Sequence, residues 1–186
     1  MCDLNTIYGI LLGANICMIA SIVACGVAVA LNLGVFTAWS APVAFGIALA
    51  AGLAANIALL PVTGMIAGCA SGQCSAIAQD AAVLFGTVVG SLASGIAIAY
   101  IATLTSAVPV AGSGPMAAYA AFLVMATVFL ELAINKLREM ESCFAAPAPA
   151  TADAVVLTGG TALLLTGVGI VLFALFNLGS HRTKKG

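Results

Sequence analysis

From Ile7 to Leu33 the chain runs IYGILLGANICMIASIVACGVAVALNL without one charged residue, a length of apolar sequence that only a bilayer solvates. Four later stretches share this character. At 1.5 Å per residue a hydrocarbon core needs about 20 apolar residues, so the five stretches predict spanning helices. Their expected bounds are about 6–33, 41–67, 78–104, 116–138 and 153–178. Only 6% of residues are charged, against roughly 25% in a soluble domain, and that class is excluded. The expected fold is an all-α integral membrane protein, a bundle of about five Gly/Ala-rich transmembrane helices in one domain, with four spans as the alternative.

Local signals set the ends. Asn32-Leu33-Gly34 closes the first helix, and Phe36 and Trp39 suit the headgroup level. Ser40 and Pro42 read as an N-cap and a first-turn proline, while Pro61 kinks or ends the second helix. A turn at Gly112-Ser113-Gly114-Pro115 precedes the fourth helix, whose amphipathic end, Asn135–Glu141, is expected in or above the headgroups. Residues 145–150, Ala-Ala-Pro-Ala-Pro-Ala, form a stiff linker, and Thr151 and Asp153 cap the fifth helix. Residues 180–186 are a small basic tail. The N-terminus, MCDLNT, lacks the positive region of a signal peptide and is read as the start of a retained span.

Small residues recur every fourth position in the first helix at Gly9, Gly13, Cys17, Ser21 and Cys25, and in the third at Gly86, Gly90 and Ser94. Gly160 and Gly167 line the fifth. Such stripes let helix backbones approach closely, so these positions are the expected helix-packing surfaces.

Five spans place Cys2, Cys69, Cys74 and Cys143 on one side of the membrane. An even set of cysteines on one face suits an oxidising compartment, with Cys69–Cys74 and Cys2–Cys143 as the expected disulfides. The basic residues Arg182, Lys184 and Lys185 outnumber Lys136 and Arg138, which makes the tail side cytoplasmic and the N-terminus external.

Few side chains carry chemistry. Glu131 is the only acidic residue away from the ends of the expected spans, about 7 Å deeper than Lys136. It is expected to bond Asn135 or snorkel to the interface, with an ion site as the alternative. Asn15 and Asn56 lie at similar depth and are expected to form an interhelical amide pair. Cys17 and Cys25 lie about 12 Å apart along the axis and read as small packing residues, or as a thiol path for a soft metal. No nucleophile–base pair, phosphate loop or metal-ligand cluster stands at a meaningful spacing, and the net charge of -1 excludes a nucleic-acid surface. No cofactor and no metal are expected.

The expected function is therefore non-catalytic: a structural or scaffold subunit that self-associates, or packs into a larger membrane assembly, through small-residue helix faces. A small transporter or channel for a soft metal ion or small solute is the alternative. A membrane thiol oxidoreductase comes third.

Overall fold

The computed structural model describes residues 2–32, 41–70, 72–105, 113–144 and 149–183. Helix α1 (Leu4–Asn32) is followed by α2 (Ala41–Gly68), a 3-10 turn at Gly72–Cys74, α3 (Ser75–Thr105), α4 (Ser113–Cys143) and α5 (Ala152–Thr183). All five are long and apolar enough to cross a membrane, and no strand occurs among the described residues. The chain is an all-α integral membrane bundle. Phe36, Trp39, Ser40, Gly112, the linker residues 145–148 and the basic Lys184 and Lys185 lie outside the described residues.

Several helices start or end further out than their apolar runs suggest. Asp3 caps α1: its carboxylate accepts from the Thr6 amide at 3.3 Å and the Thr6 hydroxyl at 2.6 Å, so the helix begins at Leu4. The bonds from Thr6 hold the Asp3 carboxyl below its ordinary 3.8. Ahead of α3, Gly72 takes φ 66, a left-handed turn that lets Ser75 open the helix. At α4 the ion pair Lys136–Glu139, at 2.6 Å, carries the helix on to Cys143. Pro61 does not end α2, which continues through it to Gly68 with the proline on its exposed side.

A seven-residue repeat organises the packing. One file of buried positions on α1 is Ile7, Leu11, Ala14, Met18, Ser21, Cys25 and Ala28, alternating steps of four and three. The same alternation continues in α2 from Ala41, Phe45 and Ala48 to Ile66, in α3 from Ala78 to Ala99, and in α4 from Met116 to Met140. A repeat of 3.5 keeps one seam on the partner only if the helices wind left-handedly about each other with side chains interlocked. Helices α1 to α4 form an antiparallel four-helix square, in which α1 and α4 also touch.

Helix α5 packs on α1 and α4 and lies in the groove between them. These two helices accordingly bury a second file beside the first: Tyr8 and Asn15 on α1, and Thr127, Ile134 and Glu141 on α4. On α5 the repeat covers Ala152, Val155, Gly159, Ala162 and Thr166. Beyond it, Gly167 to Leu172 are exposed on every side. Outer faces are largely apolar, with Leu157 and Leu164 each 72% exposed, as lipid tails require.

Candidate functional site

In this apolar bundle the polar side chains are the informative ones, because each that enters the interior must find a partner. They tie several of the helix seams. At the α1–α2 seam, the Ser21 hydroxyl donates to the Ala48 carbonyl at 2.7 Å and lies 2.8 Å from the Tyr119 hydroxyl, which reaches in from α4 and also donates to Ala48 at 3.0 Å. The Tyr119 ring meets Phe45 edge-on with centroids 5.9 Å apart. Gly52 makes the arrangement sterically feasible, since a Cβ there would overlap the Tyr119 hydroxyl.

Asn56 bridges α2 and α3, donating to the Val89 carbonyl at 2.7 Å. Asn15 bridges α1 and α5, donating to the Val155 carbonyl and the Thr158 hydroxyl, each at 3.0 Å. The expected Asn15–Asn56 amide pair therefore does not form. The second buried file turns Asn15 toward α5, while Asn56 sits on the side of α2 that faces α3.

Near the disulfide end, the Tyr8 hydroxyl donates to Glu141 Oε2 at 3.0 Å across the α1–α4 seam, and Glu141 is buried. The amphipathic end of α4 thus turns one carboxylate into the bundle. Glu141 follows the buried Met140 and turns inward, while Arg138 and Glu139 remain exposed.

Glu131 differs most from expectation. Its Oε2 is buried without a hydrogen bond, 3.0 Å from where a Gly159 Cβ would stand, while Asn135, one turn on, is exposed. Glu131 lies about 18 Å along the helix from Cys143. Gly159 leaves the space that the carboxylate fills, and Asn15 Nδ2 lies 3.7 Å from the same point. Helices α1, α4 and α5 thus converge on a polar pocket with two unpartnered buried acceptors, Glu131 Oε2 and Asn15 Oδ1.

All four cysteines of the expected external face are in disulfides, but the pairing is Cys2–Cys69 and Cys74–Cys143. The expected Cys69–Cys74 and Cys2–Cys143 bonds are absent for a geometric reason. Cys69 follows the end of α2 beside the start of α1, and Cys74 precedes α3 beside the end of α4. Each cysteine meets its antiparallel neighbour, so both bonds staple a seam. Cys17 and Cys25 remain free, half-buried and buried respectively. A thiol path from them toward Cys69 and Cys74 would end at sulfurs already bonded to Cys2 and Cys143.

The small stripes divide. A period of four drifts about 40° per step around a helix of 3.6 residues per turn, so a stripe cannot stay on one face. On α1, Gly9 and Gly13 are exposed, Cys17 is half-buried, and Ser21 and Cys25 are in the seam. On α3, Gly86, Gly90 and Ser94 are all exposed, and no atom lies within 4 Å of a Cβ built on either glycine. Gly160 and Gly167 are equally open. Close approach inside the bundle uses Gly52, Gly95 and Gly159, which fall on the seven-residue repeat. That repeat is the signal that would have singled them out. Comparison with protein-family models, curated proteins and solved structures finds no match to the chain.

Proposed function

We propose that this chain is a non-catalytic structural subunit of a membrane assembly, joining copies of itself or a larger complex through its outward small-residue faces. The observation that carries the reading is the α3 face of Gly86, Gly90 and Ser94, a shallow strip turned to the bilayer and used by nothing inside the bundle. Helix interfaces in lipid form where backbones approach closely, and a glycine strip facing only acyl chains would forfeit that packing. A second open strip runs along α5, lined by Leu163, Leu164, Gly167, Val168, Val171 and Leu172. Rigidity suits a building block, and the two disulfides with the polar ties between helices supply it. We place the disulfide end outside and the C-terminal tail in the cytoplasm, from the oxidised cysteines and the tail's basic residues.

Gly90→Leu tests the interface without touching the interior, because nothing stands near its Cβ. Native mass spectrometry in mild detergent should show an oligomer for the wild type and smaller species for Gly90→Leu, with an unchanged melting temperature. A wild-type monomer, or an oligomer indifferent to Gly90→Leu, defeats the proposed α3 interface. Ser21→Leu serves as the contrast: it removes a buried hydroxyl and should unfold the bundle.

A further inference from the structure

We propose that the Cys74–Cys143 disulfide is a thiol-exchange site: a dithiol partner attacks the Cys143 sulfur, Cys74 departs, and Cys2–Cys69 stays closed. The two bonds differ first in access. Cys143, the last residue of α4, is exposed, whereas its mate Cys74 is only 5% exposed. In the other bond Cys69 is 2% exposed and Cys2 is half-buried. A thiolate must reach the sulfur that it attacks, and of these four cysteines Cys143 is the exposed one. Its surroundings are polar: Arg138, Glu139 and Ser142 are exposed on α4, as is Gln73 next to Cys74, so the approach is through water.

The helix ends select the same direction of attack. Exchange is faster when the departing sulfur carries negative charge readily. Cys74 ends the 3-10 turn Gly72–Cys74 and stands immediately before α3, whose 31 residues turn the positive end of their dipole toward it. Attack at Cys2 would instead expel Cys69, which is buried and follows Gly68 at the negative end of α2. Charges at the two points of attack differ as well. Cys2 precedes Asp3, whose carboxylate, bonded to Thr6, repels an incoming thiolate. One turn before Cys143, Glu139 is paired with Lys136 at 2.6 Å.

The exchange runs in two steps. A partner thiolate bonds to Cys143 Sγ as the Cys74–Cys143 bond breaks, and Cys74 leaves as a thiolate that takes a proton from water. The partner's second thiol gives its proton to water and attacks the partner sulfur of the mixed disulfide. That closes the partner's own disulfide and releases Cys143, which is protonated in turn. The dithiol loses two electrons and two protons, and Cys74 and Cys143 gain them as thiols. The staple between α3 and α4 thus answers to the partner, while the staple between α1 and α2 persists.

The test uses the oxidised full chain in detergent. Glutathione, a charged thiol confined to water, is added for graded times, exchange is trapped with N-ethylmaleimide, and the peptides are mapped by mass spectrometry. Cys74–Cys143 should open about tenfold faster than Cys2–Cys69. The trapped intermediate should carry glutathione on Cys143 and maleimide on Cys74. Dithiothreitol, as the dithiol, should convert Cys74 and Cys143 to thiols with Cys2–Cys69 still bonded. A variant with Cys74→Ser and Cys143→Ser should keep only the slow phase. Equal rates for the two bonds, earlier opening of Cys2–Cys69, or glutathione on Cys74 would each overturn the proposal.

Discussion

Gly52→Ala is the smallest change that tests the centre of the bundle. The added methyl would occupy the place of the Tyr119 hydroxyl, with the Ser21 oxygen and the Tyr119 ring carbon that bears the hydroxyl each 3.3 Å away. Tyrosine must withdraw, because backbone lies on the other side. Overpacking a filled core costs about 1–3 kcal/mol. Withdrawal also breaks the one hydrogen bond that the Tyr119 hydroxyl donates, to Ala48 or to Ser21, and an interhelical hydrogen bond in a membrane averages about 0.6 kcal/mol.

The expected loss is therefore about 2–4 kcal/mol. Tyr119→Phe alone removes that bond but leaves Ser21 bonded to Ala48, so it should cost about 0.6 kcal/mol. It also vacates the space that the methyl needs. In the Tyr119→Phe background, Gly52→Ala should then cost less than about 1 kcal/mol, giving a coupling of about 2 kcal/mol in the double-mutant cycle. Equilibrium unfolding in detergent, followed by circular dichroism, measures all four proteins. Equal costs of Gly52→Ala in both backgrounds would refute the reasoning, since the clash would then not be with the hydroxyl.

Two further outcomes test the seams. Mapping without reductant should recover the cross-linked peptides Cys2–Cys69 and Cys74–Cys143, and Cys2→Ser should lower stability. The chain-entropy ceiling for closing 67 residues is about 4 kcal/mol, reduced here because helices persist in the unfolded membrane state. Asn15→Leu and Asn56→Leu should each cost about 0.6–1.7 kcal/mol and add within about 0.5 kcal/mol, because they tie different helices. Strong coupling between them would restore a direct amide contact.

The span count and the class of fold were legible from five apolar runs, since length and lack of charge are read directly from residue type. Lateral arrangement was not. In a soluble bundle the buried face announces itself by hydrophobic contrast, but here Leu157 faces lipid and Leu11 faces the core with the same chemistry. The seven-residue repeat was therefore hidden, and the conspicuous fourfold stripes drew attention instead. Those stripes proved to lie partly or wholly outside the bundle, while Gly52, Gly95 and Gly159 form its close contacts.

The site followed the same division. Glu131, Asn15 and Asn56 stood out in the sequence because polar groups are rare in such helices, but their partners depended on rotation about each helix axis. Asn15 meets Thr158, at a sequence separation of 143, and Glu131 meets Gly159 because α5 closes on α1 and α4. Cysteine pairing obeyed the antiparallel neighbours and not the shortest loop. Residue chemistry was enough to require a membrane and five helices, because the cost of burying backbone and charge in lipid is local to each segment. Which faces meet, which sulfurs join and which acceptors are left without donors follow from helix rotation and neighbour choice, and those depend on all five helices at once.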